Sequence, residues 1–464
     1  SLSAAQIFLS AMETDIVGPS WTSFKSETSA GTPISGGLKR SPSTPKLKKS
    51  VSWRTVGPDS AEHRHALAED FEFQGFTEGM ENRAVTLVQL KRCKAFADRH
   101  AFAWYWPLRT DSESLLESSP KSLGSTGSWT SAPIKAVNMH HLNAWVILPA
   151  TQEQKCSFVE LLISEQQPPG WFCSHCWDDI IDGLIGCIQT HVDQRFGQPA
   201  LLTEEGQPAA PILPVPYWLA AFARRPHKAE ELPDSGNWKD CDFFRAMQLS
   251  KGVLLVQGQD VYASKRSWCI LELHAWHSIG DKLLDIAAMS DGKAALYTDS
   301  SMSISGLQMA PGPEAELVPM ESFRCLLDFD ASTGTAASDW DRLWIMNALD
   351  PVDRACHQVT SKIRATFSLM ALSRAMARQG DRASIEELGI LERFTLQEDC
   401  TSLSMEFGPS TLITDSDLAF LVKPVMPNLR SLRLCFDGTV NMTDAGLAAI
   451  AECLPTTLQH FQVL

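Results

Sequence analysis

Positive charge is scarce in this sequence. Forty Lys and Arg stand against 55 Asp and Glu, a net charge of −15 over 464 residues, with a pI near 5.3. That balance argues against a protein that grips nucleic-acid phosphates over its whole surface. No apolar run approaches the roughly 20 residues needed to cross a bilayer, so no membrane span is expected. G-x-G-x-x-G, P-loop and H-E-x-x-H patterns are all missing, as is the G-x-S-x-G elbow of Ser/His/Asp catalysis. The 12 cysteines follow no framework spacing, and a chain of this size needs no staples. Reduced thiols in a cytoplasmic protein are therefore expected. Cys173-Ser-His-Cys176 has the spacing of half a zinc site or of a redox pair. No second ligand pair follows at a normal interval, so no metal is expected, and both cysteines read as small apolar residues at a strand end.

What is present is enough to build a core: 44% of residues are hydrophobic and 20% charged. The length implies two or three domains. Residues 1–60 are a Ser/Pro-rich tail without apolar periodicity over Ser26–Thr55 and are expected to be disordered. The tail holds a basic cluster, Lys39, Arg40, Lys46, Lys48, Lys49 and Arg54, beside Ser41-Pro42, Thr44-Pro45, Ser50 and Ser52. Phosphates on those hydroxyls would cancel the local charge. In a helical segment over 61–110, Leu87, Leu90, Cys93 and Phe96-Ala97 recur at helical spacing. A linker spans 111–135.

Elements alternate in type over 136–300. Strands are expected at Asn143–Leu148, Gly170–His175, Tyr217–Phe222, Gly252–Gln257 and Lys293–Thr298, and helices at 178–196, 241–250 and from Trp268. In the first helix Ile180, Ile181, Leu184, Ile185, Ile188 and Val192 share a face, and Asp178 and Asp179 stand at its start. Loops are expected at 199–216 and 226–240. Such alternation implies a mainly parallel sheet covered on both faces. A loop and helical connector fills 301–380, with Trp340, Leu343, Trp344 and Leu349 as an apolar stripe and a second helix around Ile363–Ala377.

Residues 381–464 repeat. Leu429-xx-Leu432-x-Leu434 returns as Leu458-xx-Phe461-x-Val463, and Thr414-Asp415-xx-Leu418 returns as Thr443-Asp444-xx-Leu447, both with a period of 29. Leu391-xx-Phe394-x-Leu396 fits an earlier, longer unit. Period and spacing match leucine-rich repeats, which stack because one unit cannot bury its own face. The chain begins at Ser1 and stops at Leu464 inside a unit, and reads as a fragment or as a gene model with uncertain ends, whose array continues.

Three stretches of the central region carry a resemblance: Trp171-Phe-Cys-Ser174-His175-Cys-Trp177, the strand-like Ser250-Lys-Gly-Val-Leu-Leu-Val256, and Ser267-Trp268-Cys269-Ile-Leu-Glu272-Leu273. Over about 165–300 the chain resembles the TIR (Toll/interleukin-1 receptor) domain, and Trp-Cys-x-x-Glu-Leu is the most specific element. The longer form of the first motif is similar to multidomain proteins of single-celled algae that pair such a domain with ankyrin or leucine-rich repeats. The resemblance implies an α/β, flavodoxin-like parallel sheet with its ligand beyond the carboxyl ends of the strands. It also implies self-association or recruitment through that domain, beside a protein partner for the repeats. Many such domains hydrolyse NAD with the Glu of this element, here Glu272. NAD is then a candidate substrate, and no bound cofactor is implied. Ser174, His175, Trp177 and Trp268 are the candidate contacts around it. A basic residue at the usual nucleotide position is not recognisable. A module for another nucleotide, or for none, is the third reading.

Overall fold

The computed structural model describes residues 58, 60–109, 129–134, 136–196, 214–228, 237–258, 263–280, 282–290, 292–297, 324–336, 339–349, 402–406, 430–436 and 443–464, with isolated residues between 356 and 415. The predicted disordered tail, the loops at 199–213 and 300–320, and the repeat unit at Leu391–Leu396 lie outside them.

In chain order the elements are α1 (Ala61–Asp70), β1 (Val85–Thr86), α2 (Leu87–His100), β2 (Tyr105–Arg109), β3 (Trp129–Pro133) and a continuous helical run α3 (139–151). There follow β4 (Trp171–His175), α4 (Ile181–Phe196), β5 (Pro216–Trp218), the one-turn α5 (Ala220–Ala223), α6 (Asp242–Leu249), β6 (Gly252–Gln257), α7 (Ser267–Ile279), β7 (Leu283–Ser290) and β8 (Lys293–Leu296). Last come α8 (Arg324–Leu327), α9 (Asp339–Leu349), β9 (Ser402–Glu406), β10 (Ser431–Cys435), α10 (Asp444–Cys453) and β11 (His460–Val463).

The main sheet has six strands in the order β1-β5-β4-β6-β7-β8. The four inner strands are parallel, and β1 and β8 close the edges antiparallel. Counted along the chain, the parallel strands stand second, first, third, fourth. The order therefore reverses between β4 and β6. Every residue of both strands is buried, as the near-continuous apolar runs of a two-sided parallel sheet require. Alternate residues serve opposite layers. Phe172, Val253 and Leu255 meet α6 and α7 through Phe243, Met247, Ile270 and Leu273. Trp171, Leu254 and Val256 meet α2, α3 and α4 through Leu90, Val146 and Ile181. The segment 61–110 thus shares its core with 136–300 and adds β1 to the sheet.

The two central strands approach closely at one point. A Cβ on Gly252 would stand 2.7 Å from the Leu283 carbonyl oxygen and from the Trp171 ring, so only glycine lets β7 and Trp171 close there.

Two expected strands differ. Asn143–Leu148 is helical, with a π turn over Asn143–Ile147. An Asn138/His141 capping box starts the run, and Trp145, Val146 and Ile147 are all buried, Trp145 stacked on Trp104 at 5.4 Å. An apolar run buried on several sides has no period to tell helix from strand. Tyr217–Phe222 is strand only to Trp218 and then turns into α5. The linker predicted at 111–135 contains β3, which pairs with β2. Strand β7 was not expected, because Asp285 and an Ala pair interrupt its apolar pattern; β8 then returns from it across Gly292, at φ +78°. In α9 the buried stripe is Asp341, Ile345 and Leu349, and Leu343 faces outward.

A polar belt fastens α4 beneath the sheet. His191 reaches Tyr217 on β5 with Nδ1 (2.7 Å) and Asp285 on β7 with Nε2 (2.8 Å). The carboxylate can only accept, so Nε2–H donates to it and Nδ1 accepts the tyrosine proton. Arg195 grips the same carboxylate with two bonds. Burial alone would raise the Asp285 pKa, but His191 and Arg195 outweigh it and hold it below the ordinary range. Burial lowers the His191 pKa as well, against the pull of Asp285, and favours the neutral ring. A second buried carboxylate, Glu160, accepts the Thr77 and Ser157 amides at 2.7 Å and pairs with Arg225, tying 72–83 to the end of β5.

Three further strands stack in parallel as β11-β10-β9. Ser402 stands opposite Ser431, and Ser431 opposite His460. The step from strand to strand is therefore constant and equals the period of the sequence. Leu432, Leu434 and Ile450 are buried in a cluster that also holds Ile363, Phe367 and residues of α7. Thr443 caps α10, and its amide and hydroxyl both reach the Asp415 carboxylate, at 2.8 and 2.5 Å.

Asp285→Asn should cost about 3 kcal/mol at pH 7, because Arg195 loses its buried counter-charge. Both Asp285 and His191 titrate below their unfolded values. Their contribution is therefore complete above about pH 6.5 and falls as pH drops through the folded pKa values. Denaturant melts of both proteins from pH 7 to pH 3 should converge at the acid end.

Candidate functional site

The carboxyl end of β4 delivers Ser174 to one face of the sheet and His175 to the other. Across 98 residues of sequence, Ser174 Oγ–H donates to Glu272 Oε2 at 2.6 Å. Glu272 projects from α7, whose Cys269 and Leu273 share a core cluster with Phe172 of β4; Cys269 donates weakly to the His175 carbonyl (3.5 Å). Burial pushes the Glu272 carboxyl up to about 7, and the Ser174 bond and the charge of Arg224 pull it back. Arg224 caps α5 just after β5. One carboxyl, one hydroxyl and one guanidinium thus converge from the ends of β4, β5 and the helix after β6. Glu272 keeps partial solvent access, so a group that is half ionised near neutrality borders the surface. Such a carboxyl can take or give a proton, or balance a developing cation.

The other predicted contacts are placed unequally. His175 is buried, and no hydrogen bond of sound geometry reaches either ring nitrogen. Burial, with a small opposing pull from the Cys173 backbone, lowers its pKa to about 4, so the ring is neutral at pH 7. Trp177 is half-buried in the loop after β4, edge-on to His140 at 5.4 Å. Trp268 lies one helical turn before Glu272, but its ring packs against Trp344 of α9 at 5.7 Å. It joins α7 to α9, as the high average burial of Trp favours. The structure therefore brings Ser174 to Glu272 and gives Trp268 to packing.

Several further residues lie at the same end, none of them read from the sequence as a ligand contact. Gln257 ends β6, is 1% exposed, and has no partner for either amide atom among the described residues. Ser267 Oγ, at the start of α7, is likewise buried without one. In the loop after β4, Asp178 lies 3.4 Å from His140 and 3.6 Å from Arg266. Burial would raise its pKa, but these partners hold it near 2. A Cβ on Gly258 would fall 1.8 Å from the Asp179 carboxylate, so glycine admits that side chain against the backbone. Buried polar atoms usually find partners, and several of the exceptions among the described residues lie where the strand order reverses, the place where open parallel sheets take ligands.

Cys173 and Cys176 are free thiols on opposite faces, both pushed up by burial. Neither starts a helix as a redox pair would. Among the described residues no cluster of His, Cys, Asp and Glu could hold a metal ion, and no helix is long and apolar enough to cross a membrane.

No family model matches the chain, and no curated protein or solved structure matches it.

A raised carboxyl has a thermodynamic signature. The neutral form suits the fold, so Glu272 is tolerated fully below its unfolded pKa and becomes costly as pH rises through about 7. Glu272→Gln should leave stability at pH 5 nearly unchanged and raise it by about 2 kcal/mol at pH 8. Ser174→Ala should move the carboxyl titration further up, which carbon NMR of labelled glutamate would follow.

Proposed function

We propose that this protein is a signalling or scaffold component that pairs a partner-binding repeat stack with a TIR-like domain. The observation that carries the reading is the alignment of β9, β10 and β11 at one constant period, with Ser402, Ser431 and His460 side by side. A leucine-rich-repeat stack requires that register, in which equivalent residues form ladders across the strands. On β10, Leu432 and Leu434 point into the core, while Ser431 is half-buried and Arg433 is exposed; His460 and Gln462 continue those outward rows on β11. That polar row is the partner surface. The second-first-third-fourth strand order supports a flavodoxin-like sheet, and the sequence resemblance supports its TIR-like character and a role in self-association or recruitment.

The test is a comparative pull-down with the wild type and the Arg433→Glu, Gln462→Glu double variant, beside sedimentation velocity over a range of concentrations. A protein retained by the first and lost by the second is the expected outcome, with mass increasing at high concentration. Identical retention profiles and a strict monomer would sink the reading.

One observation favours a second reading, NAD cleavage. Ser174 holds the Glu272 carboxyl beside Arg224 at the strand ends, poised near neutrality. Nicotinamide leaves NAD as a neutral base, so no general acid is needed. A single ionised Glu272 would balance the ribosyl cation and orient the ribose hydroxyls while water adds to the anomeric carbon. Gln257, Ser267 and neutral His175 supply unspent polar atoms for a neutral, hydroxyl-bearing ligand. Nicotinamide release from NAD should rise with pH through about 7, as Glu272 ionises, and vanish in Glu272→Gln. A variant that retains full activity would remove Glu272 from the chemistry.

A further inference from the structure

Helix α7 carries Glu272, and no side chain caps its start. A short strap between α8 and α9 takes that place. Ser267 N–H, the first amide of α7, donates to the Thr335 carbonyl at 2.8 Å, and the Thr335 amide donates to the Lys265 carbonyl, also at 2.8 Å. The Thr335 hydroxyl reaches the same carbonyl (3.1 Å). Arg266 and Thr335 thus form a one-rung parallel ladder, which serves one of the amides that a helix start leaves over. A Cβ on Gly334 would stand 2.8 Å from Ile270 Cδ1 and 2.9 Å from Ser267 Oγ, so glycine lets the strap lie against the first turn. Beside it the Trp268 ring meets Trp344 of α9, and Arg342 of α9 donates to the Gly334 carbonyl at 3.1 Å.

The strap is also tied on its other side. The Ala331 amide donates to Thr360 Oγ at 3.0 Å, Arg364 donates to the Phe329 carbonyl, and Phe329 meets Phe367 edge-on at 6.0 Å. Ala331, Ile363 and Phe367 are wholly buried, in one cluster with Leu273 of α7 and with Leu432, Leu434 and Ile450 of the repeat stack. The polar and titratable groups around Glu272 are Ser174 and Cys173 of β4, Cys269 of its own helix and Arg224 beyond β5. None of them belongs to the strap. The strap therefore acts on Glu272 by holding α7, and close-packed elements pass a displacement on rather than absorb it.

We infer that residues 329–335 are a positioning strap, which fixes the start of α7 and so the place of Glu272 against Ser174, and which makes that place depend on the core shared with the repeat stack. Gly334 and Thr335 are its contact with α7, and Ala331 and Phe329 are its contact with the residues packed beside the repeats. The inference takes its functional meaning from the NAD reading of Glu272, but the place of the carboxyl is measurable without any turnover.

The experiment follows the Glu272 carboxyl by carbon NMR of labelled glutamate in the full chain, beside hydrogen exchange at the amides of 267–270. Gly334→Ala and Thr360→Val should both speed that exchange about tenfold and lower the Glu272 midpoint from about 7 by roughly one pH unit. Neither variant alters a charge. Burial is the largest influence on this carboxyl, so admitting water outweighs a longer Ser174 bond. Thr360→Ser, which keeps the acceptor, should behave as the wild type, and Leu343→Ala, on the exposed side of α9, should leave the midpoint unmoved. A midpoint that stays in place while exchange speeds would overturn the proposal, as would exchange that stays slow in Gly334→Ala. A shift in Gly334→Ala without one in Thr360→Val would overturn the tie to the repeat core. If Glu272→Gln still releases nicotinamide, the NAD reading falls while the midpoint goes on testing the strap, so the two ideas fail separately.

Discussion

The two central strands are covered on both faces, and this constraint governs the rest of the α/β region. Water cannot serve the side chains of β4 and β6, so each polar group there must be answered by protein or left unanswered. At the amino ends of the strands most of the polar groups are answered, the Trp171 indole N–H being an exception. Tyr217, His191 and Arg195 all bond within one network that ends on the Asp285 carboxylate. At the carboxyl ends the answer is incomplete. Glu272 has one hydroxyl bond and the charge of Arg224, and Gln257 and His175 have no sound partner. One end of the sheet has the chemistry of a fastening and the other that of a receptor.

The alternation of strands and helices was legible because the apolar runs of β4 and β6 and the amphipathic face of α4 are strong local signals. Glu272 and Ser174 were legible through a motif and proved to be hydrogen-bonded. What was hidden depended on tertiary context. The run around Trp145 has no period because a helix packed on several sides needs none. Strand β7 carries an aspartate that only the distant His191 and Arg195 make tolerable. The polar character of Gln257 is informative only once its strand is known to be fully enclosed. Trp268 looked like a ring to stack on a ligand, and the sequence holds nothing to show that Trp344 would take its face.

The common register of β9, β10 and β11 was legible for a different reason. Their signal is periodic, and a period in the chain becomes a register in the sheet without any tertiary surprise. Strand β9 keeps the period with Leu403 and Met405 at the leucine positions, and the longer unit expected at Leu391–Leu396 lies outside the described residues. The weaker residue types of β9 concealed it from a search for leucines.

Thr443 takes part in two joints at once. Its hydroxyl oxygen accepts the Ala445 amide within its own helix, while the hydroxyl proton goes to Asp415 of the unit before. Each bond polarises the oxygen in favour of the other. The start of one helix is thereby conditional on the neighbour being folded. A stack wired this way gains cooperativity from its polar groups as well as from its apolar core. Units joined by such a relay melt together, and an array so coupled transmits the loss of one end along its length.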